Sequence, residues 1–187
     1  MNYYCDIQLR ADPDFVPAIL LNALFSKLHR FLTEHPDLNI GVSFPGYSTK
    51  PRTLGSQMRL HGNQADISAL QNATWLTGMQ DHVDCTAVTP VPASSQHMQV
   101  RRMQTKSSPE RLARRYSKRH QVSEADALRI YQTVKPGKLP LPFLTLNSDS
   151  TGQRFILFIE QSASQPNAVS GSFNRYGLSQ MATVPWF

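Results

Sequence analysis

Apolar and polar positions change period several times along the chain, and each change marks an element. Residues 3–10, Tyr-Tyr-Cys-Asp-Ile-Gln-Leu-Arg, alternate well enough for a strand. Asp12-Pro13-Asp14 reads as a turn and helix start. Residues 15–33 then set Ile19, Leu20, Ala23, Leu24, Leu28 and Phe31 at helical spacing. A second strand is expected over 38–44, ending at Pro45-Gly46, and a third over 56–61 after a polar loop containing Gly and Pro. Asn63, with Asp66 three positions later, caps a helix over about 64–72. Val83, Cys85, Ala87 and Val88 mark a fourth strand over 82–91.

The order β-α-β-β-α-β predicts an α+β protein whose first domain, residues 1–92, is ferredoxin-like (RRM-like). That arrangement hosts many unrelated activities, so it does not establish function. The strand at 39–44, Asn-Ile-Gly-Val-Ser-Phe, offers one aromatic, Phe44, so base stacking across the sheet is not the expected binding mode. Residues 93–187 are expected as a C-terminal region. It opens with a Ser/Gln-rich connection over 92–105. Ser107-Ser108-Pro109-Glu110 then starts a helix running to about His120. Ser123-Glu124-Ala125-Asp126 starts another. Pro136 to Pro142 breaks the pattern, and strands follow over 143–147 and 154–160.

Composition narrows the function classes. Of 187 residues, 40% are hydrophobic and 17% charged, as in a folded protein. No apolar run approaches the roughly 20 residues of a membrane helix, and the N-terminus lacks a signal-peptide pattern. A cytoplasmic protein without membrane partners is expected. Cys5 and Cys85 share no motif and are expected as two buried free thiols. The net charge is +6 and the pI about 9.6. Residues 101–119 hold eight basic side chains and one acid, a local +7, which leaves about −1 for the remainder. So localised a patch is the footprint of a polyanion-binding surface.

Arg111, Arg114, Arg115 and Lys118 stand at i, i+3, i+4 and i+7, on one helix face, with Arg119 at its edge. Leu112 and Tyr116 supply the opposite, packed face. Such a helix suits the phosphates lining the deep groove of A-form RNA, and equally DNA or an acidic protein. Arg102 and Gln104, two apart, point the same way in an extended stretch. They suit a guanine and an adenine edge, or are simply exposed polar residues. Of six histidines, His29 alone sits on a predicted core helix, where a group able to move protons near neutral pH would be well placed. A structural histidine is the plainer reading there. Ser148-Asp149-Ser150-Thr151-Gly152 can hold a phosphate or be an ordinary hairpin turn. Phe155 can stack on a base pair or fill the core, and Tyr176-Gly177 can orient a histidine or form a turn. No His/Cys/Asp/Glu cluster has metal-ligand spacing, and no cofactor is expected.

The ordered set of segments is specific. Tyr4 to Arg10, Leu24 to His29, Ile40 to Pro45, Val100 to Arg119 with Gln104 and Lys106, Leu141-Pro142-Phe143, Ser148 to Gln153, Phe155, Tyr176 to Ser179 and Val184 to Phe187 span the chain. In these it resembles the CRISPR repeat-cleaving endoribonucleases of the type I-F systems. The resemblance implies binding of the repeat stem-loop and cleavage of precursor crRNA at its 3′ base by 2′-OH attack, without metal. The ends would be a 2′,3′-cyclic phosphate and a 5′-OH, and the enzyme would stay on its product within a surveillance complex. It further implies His29 as the catalytic histidine, Ser148 as the serine holding the nucleophilic ribose, and Tyr176 as the orienting tyrosine. Arg102 and Gln104 would read bases low in the stem, and Phe155 would stack beneath the terminal pair. Arg114, Arg115, Lys118 and Arg119 would enter the groove, Lys106 and Arg111 are expected among the RNA-binding residues, and Ser150 and Thr151 would lie close to the scissile phosphate. Lys118, Asn147 and Ala113 depart from the family pattern, which bears on affinity rather than on His29 or Ser148. A hairpin-binding module that does not cut is the alternative.

Overall fold

The computed structural model describes residues 1–104, 109–131, 139–148 and 152–187. It divides the chain into two units: Met1–Met103 with Leu141–Phe187, and Gln104–Pro140. The first unit thus runs past residue 92 and takes in both later strands and the C-terminal tail.

In the first unit, β1 (Tyr3–Leu9) leads to α1 (Pro17–Glu34), β2 (Gly41–Ser43), the small hairpin β3 (Ser48–Thr49) and β4 (Arg52–Thr53), and β5 (Gln57–Gly62). Helix α2 (Gln64–Asn72) follows, then β6 (Val83–Cys85) and β7 (Thr89–Pro90). The main sheet has the order β2-β5-β1-β6, with β7 also on β1, and its pairings are antiparallel. Period-2 alternation splits it into two faces. Cys5, Ile7, Val42, Met58 and Leu60 bury on one face with the apolar stripe of α1, namely Leu20, Leu21, Leu24, Phe25, Leu28, Phe31 and Leu32. Ile19, expected in that stripe, is 52% exposed. Helix α1 starts at Pro17, later than expected. Asp12 instead closes a local turn, accepting from the backbone N–H groups of Asp14 and Phe15. Asn63 caps α2 by accepting from Asp66 N–H, as the spacing predicts.

The other face carries Tyr4, Asp6, Ser43, Arg59 and His61. Arg59 makes a bidentate pair with Asp6 and lies 4.8 Å over Tyr4 and 4.1 Å over Phe187. Cys85 is exposed, which corrects half of the expected thiol pair, whereas burial pushes the Cys5 thiol up to about 12.

Residues 92–105 are not merely a connection. They contain β8 (Gln96–Met98) and β9 (Val100–Met103). Strand β8 pairs β12 (Val184–Trp186), while β9 joins β10 (Phe143–Asn147) and β11 (Arg154–Gln161) in the order β10-β11-β9. Gln161 ties this sheet to the end of β2. Its Oε1 accepts from Phe44 N–H at 2.7 Å and its amide donates to Phe44 O at 3.1 Å. Phe44 itself is wholly buried.

The second unit holds α3 (Pro109–His120) and α4 (Glu124–Tyr131), which pack on each other and bury Ala113 and Ala127. Leu112 and Tyr116 are only half-buried. Ser123 caps α4, accepting from Asp126 N–H and donating to its carboxylate. The expected cap of α3, Ser108, lies outside the described residues.

Candidate functional site

The apolar stripe of α1 buries Leu28 and Phe25 and so turns His29 to the rim, half-buried. Its ring stacks on Tyr176, with centroids 3.9 Å apart and planes 12° from parallel. Tyr176 in turn lies parallel to Phe25, at 6.3 Å. His29 Nδ1 is 2.9 Å from the Arg175 carbonyl oxygen. A carbonyl can only accept, so Nδ1 carries the proton, and in the neutral ring the lone pair belongs to Nε2.

A tight turn presents both the carbonyl and the stacking ring. Asn174 Oδ1 accepts from the backbone N–H groups of Tyr176 and Leu178, and Gly177 N–H returns to Asn174 O. Gly177 has φ +69, and a Cβ there would come within 2.3 Å of Val42 Cγ2. Its carbonyl accepts from Val42 N–H at 2.9 Å, so the turn is pinned to β2. Arg175 donates to Pro36 O, securing the turn beyond the end of α1 as well. Sequence reasoning found Tyr176-Gly177 but missed Asn174 and the Arg175 carbonyl. The signal was there in Asn174, whose type favours closing a turn on its own backbone just ahead of a glycine.

Ser148 stands one residue past β10 in the connection to β11. Its N–H donates to Gln153 O, and its carbonyl accepts from Gly152 N–H, Gly152 being left-handed at φ +65. Strand β10 lies against α1, where Thr145 N–H donates to Asn22 Oδ1. Ser150 and Thr151, like Lys106, lie outside the described residues.

Arg102 is on β9, opposite Ile159, with its guanidinium 5.9 Å from the Phe155 ring. Among the described residues its Nε is buried without a hydrogen-bond partner, which marks a donor in want of an acceptor. Phe155 is half-buried and packs against the core. Gln104 is exposed and begins the second unit. On α3, Arg111, Arg114, Arg115, Lys118 and Arg119 are all accessible to solvent, leaving one cationic face. A cavity of about 460 Å³ on that unit is lined by Arg115, Arg119, His120, Tyr116 and Tyr131. Among the described residues no group of three His, Cys, Asp or Glu side chains could hold a metal ion, and no helix is long and apolar enough to cross a membrane.

The chain is thus an α+β protein with exposed cations along α3 and a histidine held in one tautomer. Residues 4–187 match the Cas_Csy4 family of CRISPR-associated proteins, and the chain belongs to that family. Over its whole length it is 44% identical to the CRISPR-associated endonuclease Cas6/Csy4 of Pseudomonas aeruginosa (strain UCBPP-PA14). It is 41% identical to the protein of the same name from Escherichia coli (strain UTI89 / UPEC), and all of each relative is covered.

Proposed function

We propose that this CRISPR-associated endonuclease binds the stem-loop of a CRISPR repeat in precursor RNA and cuts the strand at the hairpin's 3′ base. The reaction is metal-independent. The 2′ oxygen bonds to the adjacent phosphorus and the bond from phosphorus to the 5′ oxygen breaks. The 2′-OH gives up its proton, and a proton is delivered to the departing oxygen. The products are a 2′,3′-cyclic phosphate and a 5′-OH.

The observation that carries this reading is the commitment of His29 Nδ1 to the Arg175 carbonyl beneath the Tyr176 ring. It leaves Nε2 as the nitrogen that exchanges protons with the RNA. Ser148 holds the ribose that supplies the nucleophile, with Ser150 and Thr151 near the phosphate. Tyr176 fixes the imidazole plane. The five cations of α3, with Lys106, neutralise backbone phosphates of the stem. Arg102 and Gln104 read base edges low in the stem. Phe155 supports the terminal base pair. We read the β2-β5-β1-β6 sheet with its two helices as ferredoxin-like. The cytoplasm, retention on mature crRNA and other subunits of a surveillance complex belong to the same proposal.

Replacing His29 with Ala tests it. Cleavage of a cognate hairpin should fall by at least about 10³-fold, within the range assigned to positioned acid–base groups, while hairpin affinity stays within about twofold. Cleavage at the wild-type rate would refute the catalytic assignment, and equal loss of binding would make His29 structural.

A further inference from the structure

Asn22 lies seven residues before His29 on α1, two turns back and on the same face. It is half-buried, and its Oδ1 accepts from Thr145 N–H at 2.9 Å across 123 positions of sequence. Among the described residues β10 is an edge strand, with β11 on one side only. One row of its backbone N–H groups therefore faces away from the sheet. Asn22 takes a member of that row, as a neighbouring strand would.

The bond also sets a register. A cavity of about 390 Å³ is lined by Ala18, Leu21 and Asn22 from the early part of α1 and by Phe143 and Leu144 from the start of β10. The two beginnings thus border one cavity. From Asn22 to His29 the helix rises about 10 Å, at 1.5 Å per residue. From Thr145 to Ser148 the strand covers about 10 Å, at about 3.3 Å per residue. Ser148 and His29 thus stand at similar distances, about 10 Å, along their elements from the Asn22–Thr145 bond. A slip of one residue would move Ser148 by about 3.3 Å and turn alternate side chains to the other face.

We propose that Asn22 is the positioning residue that holds the serine-bearing strand in register with the histidine-bearing helix. This rests on the roles given to His29 and Ser148 above. Asn22 touches no reacting atom; it acts through the β10 backbone.

Single-turnover cleavage and hairpin affinity, measured on full-length variants, test the proposal. Asn22→Leu keeps the size but removes the acceptor. It should cut about 10²-fold more slowly, the scale of an ångström-level misplacement, with affinity within about threefold. Asn22→Asp keeps an acceptor for the same N–H and should recover most of the rate. Should Asn22→Leu fail to fold, Asn22→Ala with the same Asp rescue replaces it. Gln161→Leu removes the other amide clamp, the one on Phe44, and should lower thermal stability while leaving the rate within about threefold. Equal rate losses in the Asn22 and Gln161 variants, or failure of Asp to rescue, would overturn the proposal. So would a wild-type rate for Asn22→Leu beside an inactive His29→Ala protein. A wild-type rate for His29→Ala would instead sink the site assignment itself.

Discussion

A histidine that moves a proton works best with one nitrogen committed and the other open. In this chain the Arg175 carbonyl commits Nδ1, and the turn offering that carbonyl depends on Gly177. Alanine at 177 would sit at φ +69 with its Cβ pressed to 2.3 Å from Val42. The left-handed conformation and the overpacking together predict a loss of about 2–5 kcal/mol. Denaturant unfolding of Gly177→Ala should show that loss alongside slower cleavage. An unchanged midpoint would mean the turn relaxes freely. His61 gives a second test at this scale. It is fully buried, with Nε2 2.8 Å from Ser43 Oγ, and burial, reinforced by the nearby Arg59 charge, pushes it down to about 3. The unfolded chain takes up that proton near pH 6.5, so between about 6.5 and 3 the unfolded state binds more protons. The neutral ring's contribution is whole above pH 6.5 and shrinks as pH falls, by about 1.4 kcal/mol per unit. Unfolding free energy should therefore drop more steeply from pH 6.5 to 4.5 in the wild type than in His61→Gln. Parallel slopes would contradict the buried neutral ring.

Elements with a strong period were legible, and those held by distant partners were not. The stripe of α1, the cap at Asn63 and the strands around 143–147 and 154–160 follow from local pattern. Strands β8 and β9 were hidden in a Ser/Gln-rich stretch, because their partners β12 and β11 lie more than 50 residues away. Arg102 therefore belongs to a sheet rather than to a free extended stretch. Ile19 was misplaced because the apolar stripe of α1 is centred on Leu24 and Leu28, leaving that early position exposed. His29, Ser148 and Tyr176 are candidates by residue type and by resemblance, and the structure adds the stacking of His29 on Tyr176. Asn22 and Asn174 were missed because each works through a hydrogen bond to backbone, which leaves no mark on periodicity. The cationic face of α3 was fully legible, since helical spacing alone sets it. Replacing Arg115 or Arg119 with Ala should weaken hairpin binding. The slope of log affinity against log salt should fall by about 1 for each phosphate that is no longer neutralised. The cleavage rate at saturation should hold. An unchanged slope would mean the arginine meets no phosphate.

At the scale of the whole molecule, the proposed function places the chemistry and the cationic helix on different units. Residues 1–103 with 141–187 carry His29, Ser148 and Tyr176, while 104–140 carry the exposed cationic row of α3. On the proposed reading, variants of the α3 cations should lose binding and a His29 variant should lose cleavage. The central claim is that the substrate's own 2′-OH is the nucleophile and His29 handles the proton. The most direct test is cleavage of a cognate repeat hairpin in excess EDTA, beside a copy with one 2′-deoxy nucleotide immediately before the cut. The first should be cut to a 2′,3′-cyclic phosphate and a 5′-OH, and the second should bind but survive. Cleavage of both, or loss of cleavage when metal is removed, would contradict it.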